Sequence, residues 1–186
     1  MPSRSLFRPL LLTMALLCAA TNSASALDES LQVIKEVQAN DLEGLRAQVV
    51  RGDDLNHQDD LDRTGLTWAA IAGNEPMIKL LLQGGARTTI RDRDNRVPLH
   101  WAVQKDNPDA VAALLDGGAN IETPDQRGTT PLMMAAANGN LAVVRLLISR
   151  HAKIDVRDYT GRSALDIAVG ARQNQVSQAL KQAGAQ

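Results

Sequence analysis

Apolar residues along this chain come in paired short bursts, each pair preceded by a polar turn. From Asp125 to Gly128 the sequence is polar. Thr130-Pro131 then opens the apolar stretch Leu132-Met133-Met134-Ala135-Ala136-Ala137, Gly139-Asn140 interrupts it, and Leu141, Val143, Val144, Leu146 and Leu147 follow at helical spacing. The pattern predicts two short helices joined by a tight break. Neither would hold alone, because nucleating a helix is costly and short isolated helices are marginal in water. Such a unit needs neighbours of its own kind.

The neighbours are in the chain. Leu66, Leu99, Leu132 and Leu165 recur in steps of 33, as do Asp59, Asp92, Asp125 and Asp158, the alanines 69, 102, 135 and 168, and the leucines 81, 114, 147 and 180. A period of about 33 with a T-P-L-H-x-A core is the mark of one repeat class. Here that core reads Val97-Pro98-Leu99-His100-Trp101-Ala102 and Thr130-Pro131-Leu132-Met133-Met134-Ala135, with weaker copies from Thr64 and Ser163. On these residues the chain resembles the ankyrin-repeat family over nearly everything after its first residues.

The resemblance implies an all-α solenoid, with a helix-turn-helix and a β-turn or hairpin finger in each repeat. It implies five units: an N-terminal capping repeat at 27–58, core repeats at 59–91, 92–124 and 125–157, and a C-terminal capping repeat at 158–186. Polar outer faces on the two end units are what a solenoid needs to stop stacking. In the last unit Lys181 stands where Leu82, Leu115 and Ile148 stand in the others.

Local signals agree. Thr130 is placed to cap an inner helix, with Pro131 at its first position. Asn74, Asn107 and Asn140 are expected to cap the outer helices, and Gly84-Gly85 and Gly117-Gly118 to end them. Arg150-His151 replaces the glycine pair in the third core repeat, which predicts a less relaxed junction. The alanine column predicts close approach between stacked helices.

Residues 1–26 read differently. Arg4 and Arg8 precede the apolar run Leu10 to Ala20, and Ala24-Ser25-Ala26 offers a cleavage site, so a cleavable signal peptide is expected, leaving Leu27 first. As a helix the run would be roughly 16 Å long at about 1.5 Å per residue, too short for a hydrocarbon core of about 30 Å. Acylation of Cys18 is disfavoured by Leu17 before it. Cys18 is the only cysteine, so cleavage would leave a chain without thiols or disulfides, tolerant of an oxidising compartment. The expected location is the periplasm, with no membrane attachment after cleavage.

Charge and composition narrow the function classes. The formal net charge is −1 and aromatics make up 2% of the chain, so neither bulk basicity nor base-stacking residues favour nucleic acid. His57, His100 and His151 lack metal-type spacing, and there is no phosphate loop or nucleophile motif. The recurring aspartates fit turn formation better than acid/base pairs. No catalytic residue, metal or other cofactor is expected, and the chain reads as a non-enzymatic monomer. The family position of His100 implies a structural hydrogen bond to the backbone of the neighbouring turn.

In the family, partners meet the turn tips and the exposed side of the inner helices. Carried onto this sequence, that surface holds Arg63, Arg91, Arg93, Arg96, Lys105, Arg127, Arg157 and Arg162, opposed mainly by Asp60 and Asp94. Arginine pairs with carboxylates in a bidentate fork, so an acidic protein partner is expected. The competing reading is that these arginines only pair with turn aspartates. Trp68 and Trp101 are either packing between repeats or anchors for a partner, and Tyr159 is an aromatic at a turn tip. The chain also resembles small exported bacterial ankyrin proteins, some encoded beside catalases, which implies a possible role in peroxide defence. Two alternatives stand beside this adaptor reading. One is an immunity protein against a periplasmic toxin; the other is a binder of an anionic small molecule or envelope polymer.

Overall fold

A computed structural model describes residues 31–185; the expected leader, its cleavage site and Cys18 lie outside them. Ten helices are present among the described residues: α1 (Gln32–Ala39), α2 (Leu42–Arg51), α3 (Gly65–Ala72), α4 (Glu75–Gln83), α5 (Pro98–Gln104), α6 (Pro108–Asp116), α7 (Pro131–Asn138), α8 (Leu141–Ser149), α9 (Ala164–Gly170) and α10 (Asn174–Gln182). Odd-numbered helices stack on one another as an inner row and even-numbered helices as an outer row. Each helix packs on its hairpin partner and on its counterparts in the adjacent repeats. That is the one-dimensional architecture of a solenoid.

The columns seen in the sequence are the core. Leu66, Leu99, Leu81, Leu114, Leu147 and Leu180 are fully buried, and so are Ala69, Ala102, Ala135 and Ala168. Alanine is the residue that fits the inner-row contacts, because a larger side chain would force the helices apart.

Helix entry follows the capping rules. Thr64, Thr130 and Ser163 accept from the amides of Thr67, Met133 and Asp166. Asn74 and Asn107 accept from Met77 and Ala110. Asn140 departs from the expectation: it makes no side-chain cap, and its Nδ2 instead donates to the Val103 carbonyl at 2.7 Å. Its siblings also reach back one repeat, Asn74 to Asn40 and Asn107 to the Gly73 carbonyl. Buried Asn140 has kept the inter-repeat bond and given up the cap.

The fingers take the turn form, not the hairpin form. Among the described residues no strand is present, and one isolated bridge pairs Gln58 with Thr64. The reason lies in the aspartates. Asp59, Asp92, Asp125 and Asp158 each accept, through Oδ1, the amides two and four residues on. Each also donates its own amide to the carbonyl four residues on. The carboxylate thus captures the donors a hairpin ladder would use. Cross-turn bonds then stack the fingers: Arg91 Nη1 to the Pro124 carbonyl, Gln126 Nε2 to the Arg93 carbonyl and the Tyr159 amide to the Arg127 carbonyl.

Candidate functional site

The turn aspartates have a second oxygen, and what it meets changes along the array. Asp59 Oδ2 accepts from the Trp68 indole at 2.8 Å, and Asp92 Oδ2 from the Trp101 indole at 2.7 Å. Asp158 Oδ2 accepts from Arg162 through Nε and Nη2. In the repeat between them the tryptophan position is Met134 and the arginine position is Thr129, and neither reaches the carboxylate. Asp125 Oδ2 therefore accepts no hydrogen bond from the described residues, although Asp125 is only 7% exposed.

The same two columns build a ladder of stacked rings and guanidinium groups. Arg63 lies over Trp68 at 5.2 Å and over Trp101 at 4.9 Å, and Arg96 covers Trp101 at 5.2 Å. A cation over an indole face is attracted by the ring quadrupole, more strongly when partly desolvated. Both tryptophans are half-buried. They pack between repeats and also orient the arginines on the surface.

Where the ladder stops, a cleft of about 420 Å³ opens. Arg96, Asp125, Arg127, Met134, Asn138 and Arg162 are among its walls. It lies where the next indole and guanidinium would have stood.

The eight expected cations fall into three groups. Arg91, Arg157 and Arg162 bind within the turns: Arg91 to the carbonyls of Asn95 and Pro124, Arg157 to the Gly161 carbonyl and Asp166, Arg162 to Asp158. Arg63 and Arg96 are held on the tryptophans, and Arg96 also donates to Gln104 at 3.1 Å. Arg93, Lys105 and Arg127 are exposed. Arg93 faces Asp62 at 3.6 Å, while Lys105 and Arg127 have no side-chain bond to the described residues. The pairing with turn aspartates weighed from the sequence therefore accounts for part of the stripe. Tyr159 is 77% exposed, its ring lying over Gly128 of the preceding turn, where an added Cβ would come within 2.7 Å of it.

His100 is fully buried and serves the fold. Its Nδ1 accepts the amide of Val97 at 3.2 Å, the N-cap of its own helix, a bond in addition to the one expected with the neighbouring turn. The ring proton then sits on Nε2, which has no well-formed acceptor among the described residues; the Thr123 main chain supports it only weakly. Burial is the main cause that pushes the ring below its ordinary pKa. In α7 and α9 the same position carries Met133 and Asp166, whose Sδ and Oδ2 take the N-cap amide instead.

No group of three or more metal-ligating side chains occurs among the described residues, and no helix among them is long and apolar enough to cross a membrane. The family profile described as Ankyrin repeats (3 copies) matches residues 33–125 and 117–186. The chain belongs to the ankyrin-repeat family. No curated protein was found to match it. Ankyrin repeats form protein–protein interaction modules and are generally non-enzymatic.

The cleft was the feature not foreseen. Its signal lay in two columns of the sequence, Trp68-Trp101-Met134-Ile167 and Arg63-Arg96-Thr129-Arg162, which lose their pattern in the same repeat.

Proposed function

We propose that this ankyrin-repeat protein is an exported, non-enzymatic adaptor that binds an acidic protein partner along the face formed by its turn tips and inner helices. The observation that supports this most is the exposed Arg127. It has no side-chain partner among the described residues, at a cleft it shares with Arg96 and Arg162. Arg93 and Lys105 extend the cationic surface. Such a surface speeds association with an acidic partner and fixes its orientation, an advantage that fades with salt. The leader expected at residues 1–26 gives the periplasm as the place of action, and a peroxide-defence role fits a thiol-free adaptor there.

The test is affinity capture from periplasmic extract with residues 27–186, run beside Arg93→Glu/Arg127→Glu. These two positions leave the tryptophan ladder intact. A stoichiometric partner held by the first and lost by the second supports the reading, and the partner's identity separates stress adaptor from immunity protein. Equal capture by both places the binding surface elsewhere. Salt-sensitive binding of a polyanion, with no protein captured, would replace the adaptor with an envelope-polymer binder.

A further inference from the structure

The cleft at the end of the ladder has the shape of a missing rung. In the two preceding repeats the turn aspartate receives an indole N–H from within the chain; Arg63 lies over both indoles and Arg96 over that of Trp101. In the last repeat the aspartate receives a guanidinium from Arg162. In the repeat between, Asp125 is more than nine-tenths buried, lines the cleft, and has an Oδ2 with no donor among the described residues. That oxygen is open to water in the cleft and not among the buried unpaired atoms, so a donor that displaces the water gains a charge-assisted hydrogen bond to a carboxylate.

We propose that this cleft seats a tryptophan side chain of the partner protein, with its indole N–H donating to Asp125 Oδ2 and its ring against Arg96. Two groups have the flat shape and the N–H that the chain itself uses at this position, an indole and a guanidinium. The lining decides between them. Arg96, Arg127 and Arg162 surround the site against the carboxylates of Asp94 and Asp125. A third-party guanidinium would enter among three of its own kind, whereas a neutral indole is attracted to their faces. Met134 and Ile167 supply the apolar floor. The volume of about 420 Å³ accommodates a bicyclic ring, and tryptophan is enriched at the centres of protein interfaces. The inference rests on the protein-binding reading above and adds to it the residue that the partner inserts.

The probe is an acidic pentapeptide with a central tryptophan, titrated into the purified protein and followed by amide and methyl NMR shifts. The expected result is saturable shifts at Asp125, Thr129 and Met134. Replacing the central tryptophan by phenylalanine removes the N–H, and affinity should fall about tenfold, as for loss of a hydrogen bond to a charged group. A central arginine should also bind more weakly than tryptophan. Two protein variants complete the test. Asp125→Asn keeps the Oδ1 that holds the turn but turns the second oxygen into a donor, and should weaken the tryptophan peptide by at least as much. Met134→Trp supplies the missing indole from within and should block the peptide while raising the melting temperature, which also shows that this variant folds. No shifts at the cleft, tighter binding of the arginine peptide, or undiminished binding to Met134→Trp would each overturn the proposal. If Met134→Trp still captures the partner that Arg93→Glu/Arg127→Glu loses, the adaptor reading stands and the cleft assignment falls.

Discussion

The indole of Trp101 donates to Oδ2 of Asp92 at 2.7 Å, joining the inner helix α5 to the turn nine residues before it. Asp92 is 7% exposed and its other oxygen already holds the amides of Asp94 and Arg96. The pair therefore fastens a finger to its helix, and the flanking Arg63 and Arg96 fasten the indole. Trp101→Phe keeps an aromatic ring between the arginines and removes the donor. Leaving the buried oxygen unpaired should cost about 1–3 kcal/mol, read as a lower denaturant midpoint. Combining it with Asp92→Asn in a double-mutant cycle isolates the bond. A coupling energy near zero would mean that the ring alone stabilises the finger.

Alanine in the inner row is a second constraint with a measurable consequence. Ala102 is completely buried between α3 and α7, the helices on either side of α5. Ala102→Leu adds three carbons where neighbouring helices already touch, and should destabilise by about 1–3 kcal/mol. Ala72 at the exposed end of α3 is the control, since leucine there meets solvent. Equal thermal shifts for the two variants would refute the packing argument.

How far the sequence reached follows from what repeats. Leu99, Ala102 and Leu114 belong to columns kept through the array, so their burial and the all-α architecture were readable from spacing alone. The turn aspartates were readable as turn formers for the same reason. The cleft was harder to see because it arises from a failure of the pattern, the coincidence of Thr129 and Met134 in one repeat. Side-chain choice between two satisfiable bonds was also out of reach. Nothing in its spacing tells that Asn140 donates to Val103 while Asn107 caps its helix, or that Arg91 binds Pro124 while Arg127 stays exposed. These outcomes depend on distances set by the stacked backbone.

Acid should loosen this protein in two stages. Burial lowers the pKa of His100 below its ordinary value of 6.5, so the folded chain takes up this proton less readily than the unfolded one. The stability linked to His100 is therefore complete above about pH 6.5 and is lost as pH falls from there through the folded pKa. Asp158 and Asp166 lie below the ordinary 3.8. Asp158 is lowered by the Thr160 hydroxyl and the Arg162 amide, and Asp166 by the Ser163 amide and hydroxyl. Their contribution is present above about 3.8 and is lost below it. Melting temperature followed from about pH 8 to 3 should show both declines, with the first abolished in His100→Gln. A variant whose profile between about pH 7 and 5 matches the parent's would exclude His100 as the source.

His151 occupies the left-handed position that ends an outer helix, at φ 62°, where Gly52, Gly85, Gly118 and Gly184 stand in the other four units. For a residue with a Cβ that conformation costs roughly 1–2 kcal/mol, and glycine adopts it freely. Against this, glycine gives the unfolded chain more freedom, worth about 0.5–1 kcal/mol. His151 is exposed and the nearby ion pair belongs to Arg150, which reaches Asp116 at 2.7 Å. Little else is therefore lost on substitution. His151→Gly should stabilise the protein by about 0.5–1 kcal/mol, seen as a higher urea midpoint with an unchanged slope. His151→Ala keeps the Cβ and serves as the control. A gain in the alanine variant as large as in the glycine variant would assign the effect to the imidazole and not to the backbone.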